Sequence, residues 1–326
     1  MLSRRAFSVG VAAAGLGLSG NSLASDSYPR RAIKIVVPFP PGTASEFFVR
    51  LIADGLQAKF GQPVIVENRP GGAGGTTGAA TVANAAPDGY TLLASPPGPL
   101  VTANIIYKTI DYDPQGFVPV ALLFASPHLL TINPLVPAQS MKELVDYAKS
   151  KPGKLSIASP GFGTQPHLLA EMFKSAAGID VVHVPYKGPA AAITDLLAGE
   201  VQIYFETAAV VLPHAEAAKL RILAVATERR FARLPDIPTT VESGFPNLVS
   251  GFWSGIVSPN GTPSRIVSKL NSAINEVMRS EKAQLGLSSL GGEAKFGSPE
   301  EFAAFIAAER EKWSAVIRAA GINTVL

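Results

Sequence analysis

Cysteine is missing altogether from the 326 residues. That removes disulfides, thiolate metal sites and cysteine nucleophiles together. Histidine is scarce: His128, His167, His183 and His214 are scattered, with no H-x-x-x-H pair to suggest a zinc site. Charge is also sparse, at 16% of residues against 47% hydrophobic, with a formal net charge of +3. This is a globular composition, and without a basic run or basic–aromatic interleaving it excludes nucleic acid as the expected partner. No later segment is apolar for long enough to span a bilayer. What remains is a chain long enough for two domains, each with its own core.

The first 24 residues read as a targeting segment rather than as fold. "SRRAF" is a twin-arginine pattern, "VGVAAAGLGLSG" is modestly apolar, and "SLA" offers small residues for cleavage. The expectation is a mature protein in the periplasm, exported by the twin-arginine route.

Beyond the signal, strands and helices alternate. "AIKIVVPF", "PVIVE" and "YTLLAS" are β-branched or apolar runs bounded by proline and glycine, with helical segments between them. In the first helix Phe48, Ile52, Leu56 and Phe60 form the core stripe, and Phe47 is placed in the core beside them. "VPVALLFA" and "HLLTIN" read as two strands separated by "SP". Ser140 and Glu143 predict a capping box, as do Ser298 and Glu301. Three successive strand-to-helix turns after "LSIAS", "VVHVPY" and "VQIYF" predict a parallel sheet. The fold class is therefore α/β in two units, with the C-terminal segment returning to pack on the first.

Ligands of open α/β sheets bind beyond the carboxyl ends of strands, where loops enter helices. "RPGGAGGTTG" carries five glycines in ten positions. It lacks the lysine of a phosphate loop and the sixth-position glycine of the dinucleotide fingerprint, so no nucleotide cofactor is expected. Three other junctions carry candidate donors. The first presents Pro41, Gly42, Thr43, Ser45 and Glu46, the second Ser159, Gly161, Phe162, Gly163 and Thr164, and the third Tyr186 and Gly188. Each opens a helix whose free N–H groups and dipole favour an anion. His167 reads as capping or packing at its helix start, and His183 as facing core or cleft. Glu46 and Glu206 read either as paired carboxylates or as helix N-terminal acids. No G-x-S-x-G elbow accompanies the histidines. Phe162, between two glycines, has no core to face and is expected over the cleft mouth.

The ordered set "VVPFPPG", "GQPVIVENRPGGAGG", "PDGYTLLAS", "LSIASPGFGTQPHLLAEMF", "VHVPYKGPAAAITDLLAGEV", "LRILAVATERRFARLPDIPTTVESG" and "FWSGIVSPNGTP" resembles the extracytoplasmic solute receptors of tripartite tricarboxylate transporters, the Bug family. The resemblance runs from Tyr28 to the last helix. It implies a two-lobed periplasmic binding protein of the type II, Venus-flytrap kind, each lobe a mixed sheet flanked by helices. The expected division is 25–123 with 225–326 as one lobe and 124–224 as the other. It further implies a monomer, not an enzyme, that binds a small organic carboxylate and passes it to integral-membrane permease subunits. The matching loops assign ligand contact to Gly42, Thr43, Ser45, Gly161, Gly163 and Thr164, with Tyr186 and Gly188 beside them. No metal or cofactor is expected. The chain departs from the family where Thr43, Ala44 and Ser45 follow Gly42, where Glu46 takes the acid position, at Phe47-Phe48 and at Phe162. These departures fall in the ligand loops. A periplasmic hydrolase or isomerase using Glu46, Glu206 or His167, and a sensor for a membrane partner, are the competing readings.

Overall fold

A computed structural model describes residues 28–41, 44–289 and 291–322. The expected signal segment lies outside the described residues, as do Gly42 and Thr43. The first part of the chain comprises β1 (Ile33–Val37), α1 (Ala44–Phe60), β2 (Val64–Asn68), α2 (Thr76–Ala83), β3 (Thr91–Ser95), α3 (Ala103–Ile106) and β4 (Val118–Ile132). There follow α4 (Met141–Ser150), β5 (Ser156–Ser159), α5 (Gln165–Ala177), β6 (Val182–Pro185), α6 (Pro189–Ala198), β7 (Ile203–Thr207), α7 (Ala208–Glu216) and β8 (Arg221–Val225). The chain closes with β9 (Gly251–Ser258), α8 (Ser264–Met278), α9 (Glu281–Ser289), β10 (Glu293–Ala294) and α10 (Pro299–Ala319).

The strands form one sheet in the order β2-β1-β3-β9-β4-β7-β5-β6, with β8 and β10 also pairing with β4. Strand β4 corrects the expectation of two strands at 118–132. It continues through Ser126-Pro127, pairing with β9 over Val118–Pro127 and with β7 over His128–Ile132. Pro127 falls where the strand exchanges one partner for another, a place where a residue without N–H is tolerated. The two parts of the sheet are otherwise alike. Parallel β2-β1-β3 meets antiparallel β9, and parallel β6-β5-β7 meets antiparallel β4.

The core explains why the sheet behaves as one piece on one side and two on the other. A single apolar cluster runs from Val36, Leu93 and Trp253 through Leu130 to Ile157, Phe173 and Phe205, with Phe302, Ile306 and Trp313 of α10 and residues of α4 and α5 against it. On the opposite side the core is divided. Phe48, Ile52 and Leu56 of α1 pack with Val267, Leu270 and Ile274 of α8, whereas Ala192 and Leu196 of α6 and Val211 and Leu212 of α7 belong to separate clusters. Burial of such side chains contributes roughly 1.5–3 kcal/mol each, so both parts have substantial cores.

Two local expectations change in detail. Phe47 is not core: it is 52% exposed and meets Phe48 edge-on. It falls off the stripe set by Phe48, Ile52 and Leu56. Ser140 accepts the Glu143 N–H, but the Glu143 carboxylate accepts from Gln139 rather than from Ser140, leaving that box half closed. The Ser298–Glu301 box closes in both directions.

Candidate functional site

The loops after β1 and β5 both lead directly into helices, α1 and α5. Pro41 is exposed in the first loop and Ser45 lies in the opening turn of α1. Glu46 is buried, and its Oε1 accepts from Arg50 Nε at 2.9 Å and Nη2 at 2.5 Å. Phe48 tilts against Phe124 at 4.7 Å. The glycine-rich turn supports this loop from below. A Cβ on Gly78 would lie 2.8 Å from Pro38 Cα, a close approach only glycine permits. Asn68 Nδ2 donates to the Phe39 carbonyl at 3.0 Å, tying β2 to the same loop.

The second loop is closed by its own side chains. Thr164 Oγ1 donates to the Gly161 carbonyl at 2.7 Å, and the Gly161 N–H donates to Ser159 Oγ at 3.3 Å. Ser159 Oγ also shares a 2.7 Å hydrogen bond with His183 Nε2. The hydroxyls expected to face a ligand are thus engaged inside the turn. Gly163 has φ +75°, and a Cβ there would lie 2.9 Å from Ile106 Cδ1 of α3. Its N–H donates to His167 Nδ1 at 3.0 Å. His167 is buried, and burial, then His183, then Lys174 push its pKa down to about 3. Phe162 is 48% exposed, as its position between glycines predicts. Its ring lies 4.8 Å from that of His167, which stacks on His183 at 4.0 Å and 21°.

The third loop is joined to the second through backbone bonds, Tyr186 N–H to Ser159 and Gly188 N–H to Pro160, each at 2.9 Å. Tyr186 donates its hydroxyl to Asp195 at 2.7 Å; burial and this bond push the phenol up to about 12. Glu206 stands in β7, not at a helix start. It is buried, accepts from Tyr204 at 2.6 Å and from the Thr207 N–H at 2.7 Å, and desolvation raises its pKa. Glu46 is held by Arg50 and Glu206 by Tyr204 and the Thr207 N–H. A small cavity of about 50 Å³ lies among Phe48, Phe124, Phe252, Ser126 and Thr207, where the divided side of the core parts. A larger groove of about 500 Å³ between α7 and β8 contains none of the expected site residues.

Two other chemistries are limited by this geometry. His167, Glu171 and His183 bring potential metal-ligating atoms within 4.8 Å of one another. Zinc needs in-plane nitrogen lone pairs converging at about 2.0–2.1 Å. The nearly parallel rings aim theirs side by side, and Glu171 is held by Lys174 at 2.8 Å. Ser159 and His183 are spaced like a nucleophile and its base, yet Ser159 is fully buried.

The sequence reading missed a second polar centre. Glu309 of α10 accepts from Trp253 Nε1 at 3.2 Å, Trp313 Nε1 at 3.0 Å and Gln165 Nε2 at 3.3 Å, and pairs with Lys312. Gln165 is the first residue of α5, so this buried carboxylate links the second loop to β9 and α10. Within a charged helix Glu309 looks like a solvent-facing acid, and nothing local points to partners 144 and 56 residues away. His183 had a weaker signal in its alternation along β6.

Residues 48–322 match the family described as "Tripartite tricarboxylate transporter family receptor". The chain belongs to this family of receptors. Protein BugT of Bordetella pertussis (strain Tohama I) is 35% identical over 315 residues, covering 96% of both chains. Among solved structures, Rpa4515 of R. palustris with adipate is 34% identical, with a TM-score of 0.78 over 90% of this chain and 98% of that one. MatC from Rhodopseudomonas palustris with bound malate is 31% identical, with a TM-score of 0.75 over 89% of this chain and all of that one. As a receptor of this family the protein binds solute and is not an enzyme. No helix among the described residues is long and apolar enough to cross a membrane.

Proposed function

We propose that this receptor binds a small organic carboxylate between two lobes in the periplasm and delivers it to the membrane subunits of a tripartite transporter. The observation that carries the proposal is the preset second loop on a receptor chain. Its hydroxyls and imidazoles are used internally, leaving helix-start N–H groups as the anion donors. The adipate and malate in the two related structures support a carboxylate as the ligand. The lobes are 25–123 with 225–326, and 124–224. Ligand contact comes from the loops at Pro41–Glu46, Ser159–Thr164 and Tyr186–Gly188. Export follows the twin-arginine signal at residues 1–24, so replacing Arg4 and Arg5 by lysine retains precursor in the cytoplasm; normal export of that variant contradicts the route.

The ligand is a carboxylate with an apolar body, aromatic rather than a short hydroxy-acid. Half-exposed Phe162 supports this choice, since an aromatic ring can stack on a flat ligand for about 0.5–1.5 kcal/mol beyond area burial. Calorimetry with benzoate, adipate, malate and citrate tests it. Benzoate or another apolar acid binds most tightly, and Phe162→Ala weakens that ligand more than malate. Tightest binding of citrate, or an unchanged Phe162→Ala variant, overturns the aromatic assignment.

A further inference from the structure

Resting on the carboxylate reading, we infer that His167 is a positioning residue: a neutral imidazole that fixes the Gly163 amide and holds the anion-binding turn in one shape without adding a positive charge. Three independent contacts converge on it. Its Nδ1 accepts from Gly163 at 3.0 Å, its ring stacks on His183, and the tilted Phe162 ring lies 4.8 Å away. His183 in turn holds Ser159 at 2.7 Å, so the two imidazoles stitch the first and last parts of the same turn.

An N–H donor at Nδ1 requires that nitrogen to be unprotonated, and a neutral imidazole then carries its proton on Nε2. A proton on both nitrogens would place two N–H groups face to face at Gly163 and break the turn. The charged and titratable groups acting on the ring are Lys174 and Glu171 from α5 and His183 from β6. Lys174 and His183 both oppose a charge on His167, and Glu171 is already paired with Lys174. The consequence is that the Gly163 anchor of the turn does not change through His167 while the solution is acidified from pH 8 to pH 5.

Nitrogen NMR of the ligand-free wild-type protein reads the imidazole directly. His167 keeps a bare Nδ1 and a protonated Nε2 throughout that range. Titration of His167 within the range, or a proton on Nδ1, overturns the inference. In parallel, calorimetry with benzoate and adipate compares His167→Asn, whose Oδ1 can replace Nδ1 as acceptor, with His167→Leu, which has no acceptor. Asn retains affinity within about threefold and Leu loses roughly tenfold, the scale of one net hydrogen bond. A Leu variant that binds like wild type overturns the positioning role. If neither acid binds wild type, the carboxylate reading fails, while the NMR result still decides the state of His167.

Discussion

The turns into α1 and α5 occupy matching places at the ends of parallel strands, yet their polar atoms are spent differently. At α1 a buried carboxylate, Glu46, is held by Arg50, and an aromatic pair follows it, Phe48 inward and Phe47 outward. At α5 there is no acid in the opening turn; two hydroxyls and two imidazoles hold the backbone instead. Support also comes from different directions. Asn68 supports the first loop from 29 residues away and Gly78 packs against its Pro38, whereas Glu309 grips the start of α5 from 144 residues away. The difference is one of support: the turn into α5 is braced by a carboxylate near the end of the chain, the turn into α1 by residues of β2 and α2.

The strongest way to break that comparison is to remove the distant support. Glu309→Ala leaves two indole N–H groups, Gln165 and Lys312 without their acceptor. The expected loss of stability is about 3 kcal/mol or more, measured by denaturant unfolding. A loss below 1 kcal/mol would show that Glu309 does not anchor α5. Next, Gly163→Ala forces a side chain into a left-handed backbone and against Ile106, costing about 1–3 kcal/mol. Its ligand affinity falls more than that of a Phe47→Ala variant in the first loop; the opposite order would make the first loop the more sensitive one.

The effect that is smallest at neutral pH sharpens the seam between the two parts of the sheet. His128 of β4 hydrogen-bonds Ser250 at 2.9 Å, and burial pushes its pKa from 6.5 down to about 3. The unfolded chain therefore takes the proton first, and stability falls as pH drops below 6.5 toward 3. Each pH unit costs about 1.4 kcal/mol for such a group. His167 acts in the same direction, and Glu206, with its raised pKa, opposes both. His128→Asn shows a shallower acid slope than wild type in stability-against-pH curves. Equal slopes would mean that His128 takes up a proton in the folded protein.

Much of the fold was legible because its signals are local. Proline and glycine punctuation placed the elements, the Phe48–Ile52–Leu56 stripe placed α1, and the Ser298–Glu301 box placed α10. Pro127 misled because a proline usually ends a strand, and only the change of pairing partner explains why β4 continues. The candidate loops could be placed from the sequence, but their internal contacts could not. Residue type could mark Ser159, Thr164 and His167 as polar groups at a helix start. It could not show that they bond to one another, or that Glu309 and Trp253 reach the same helix, since those contacts depend on topology.

The central claim is that this chain holds a carboxylate without transforming it. Native mass spectrometry of the mature protein mixed with equimolar benzoate, adipate, malate and citrate tests it most directly. The account predicts one carboxylate per chain, the more apolar acids preferred, and the ligand released with its mass unchanged. Chains that carry none of the four, or that release an altered product, would contradict it.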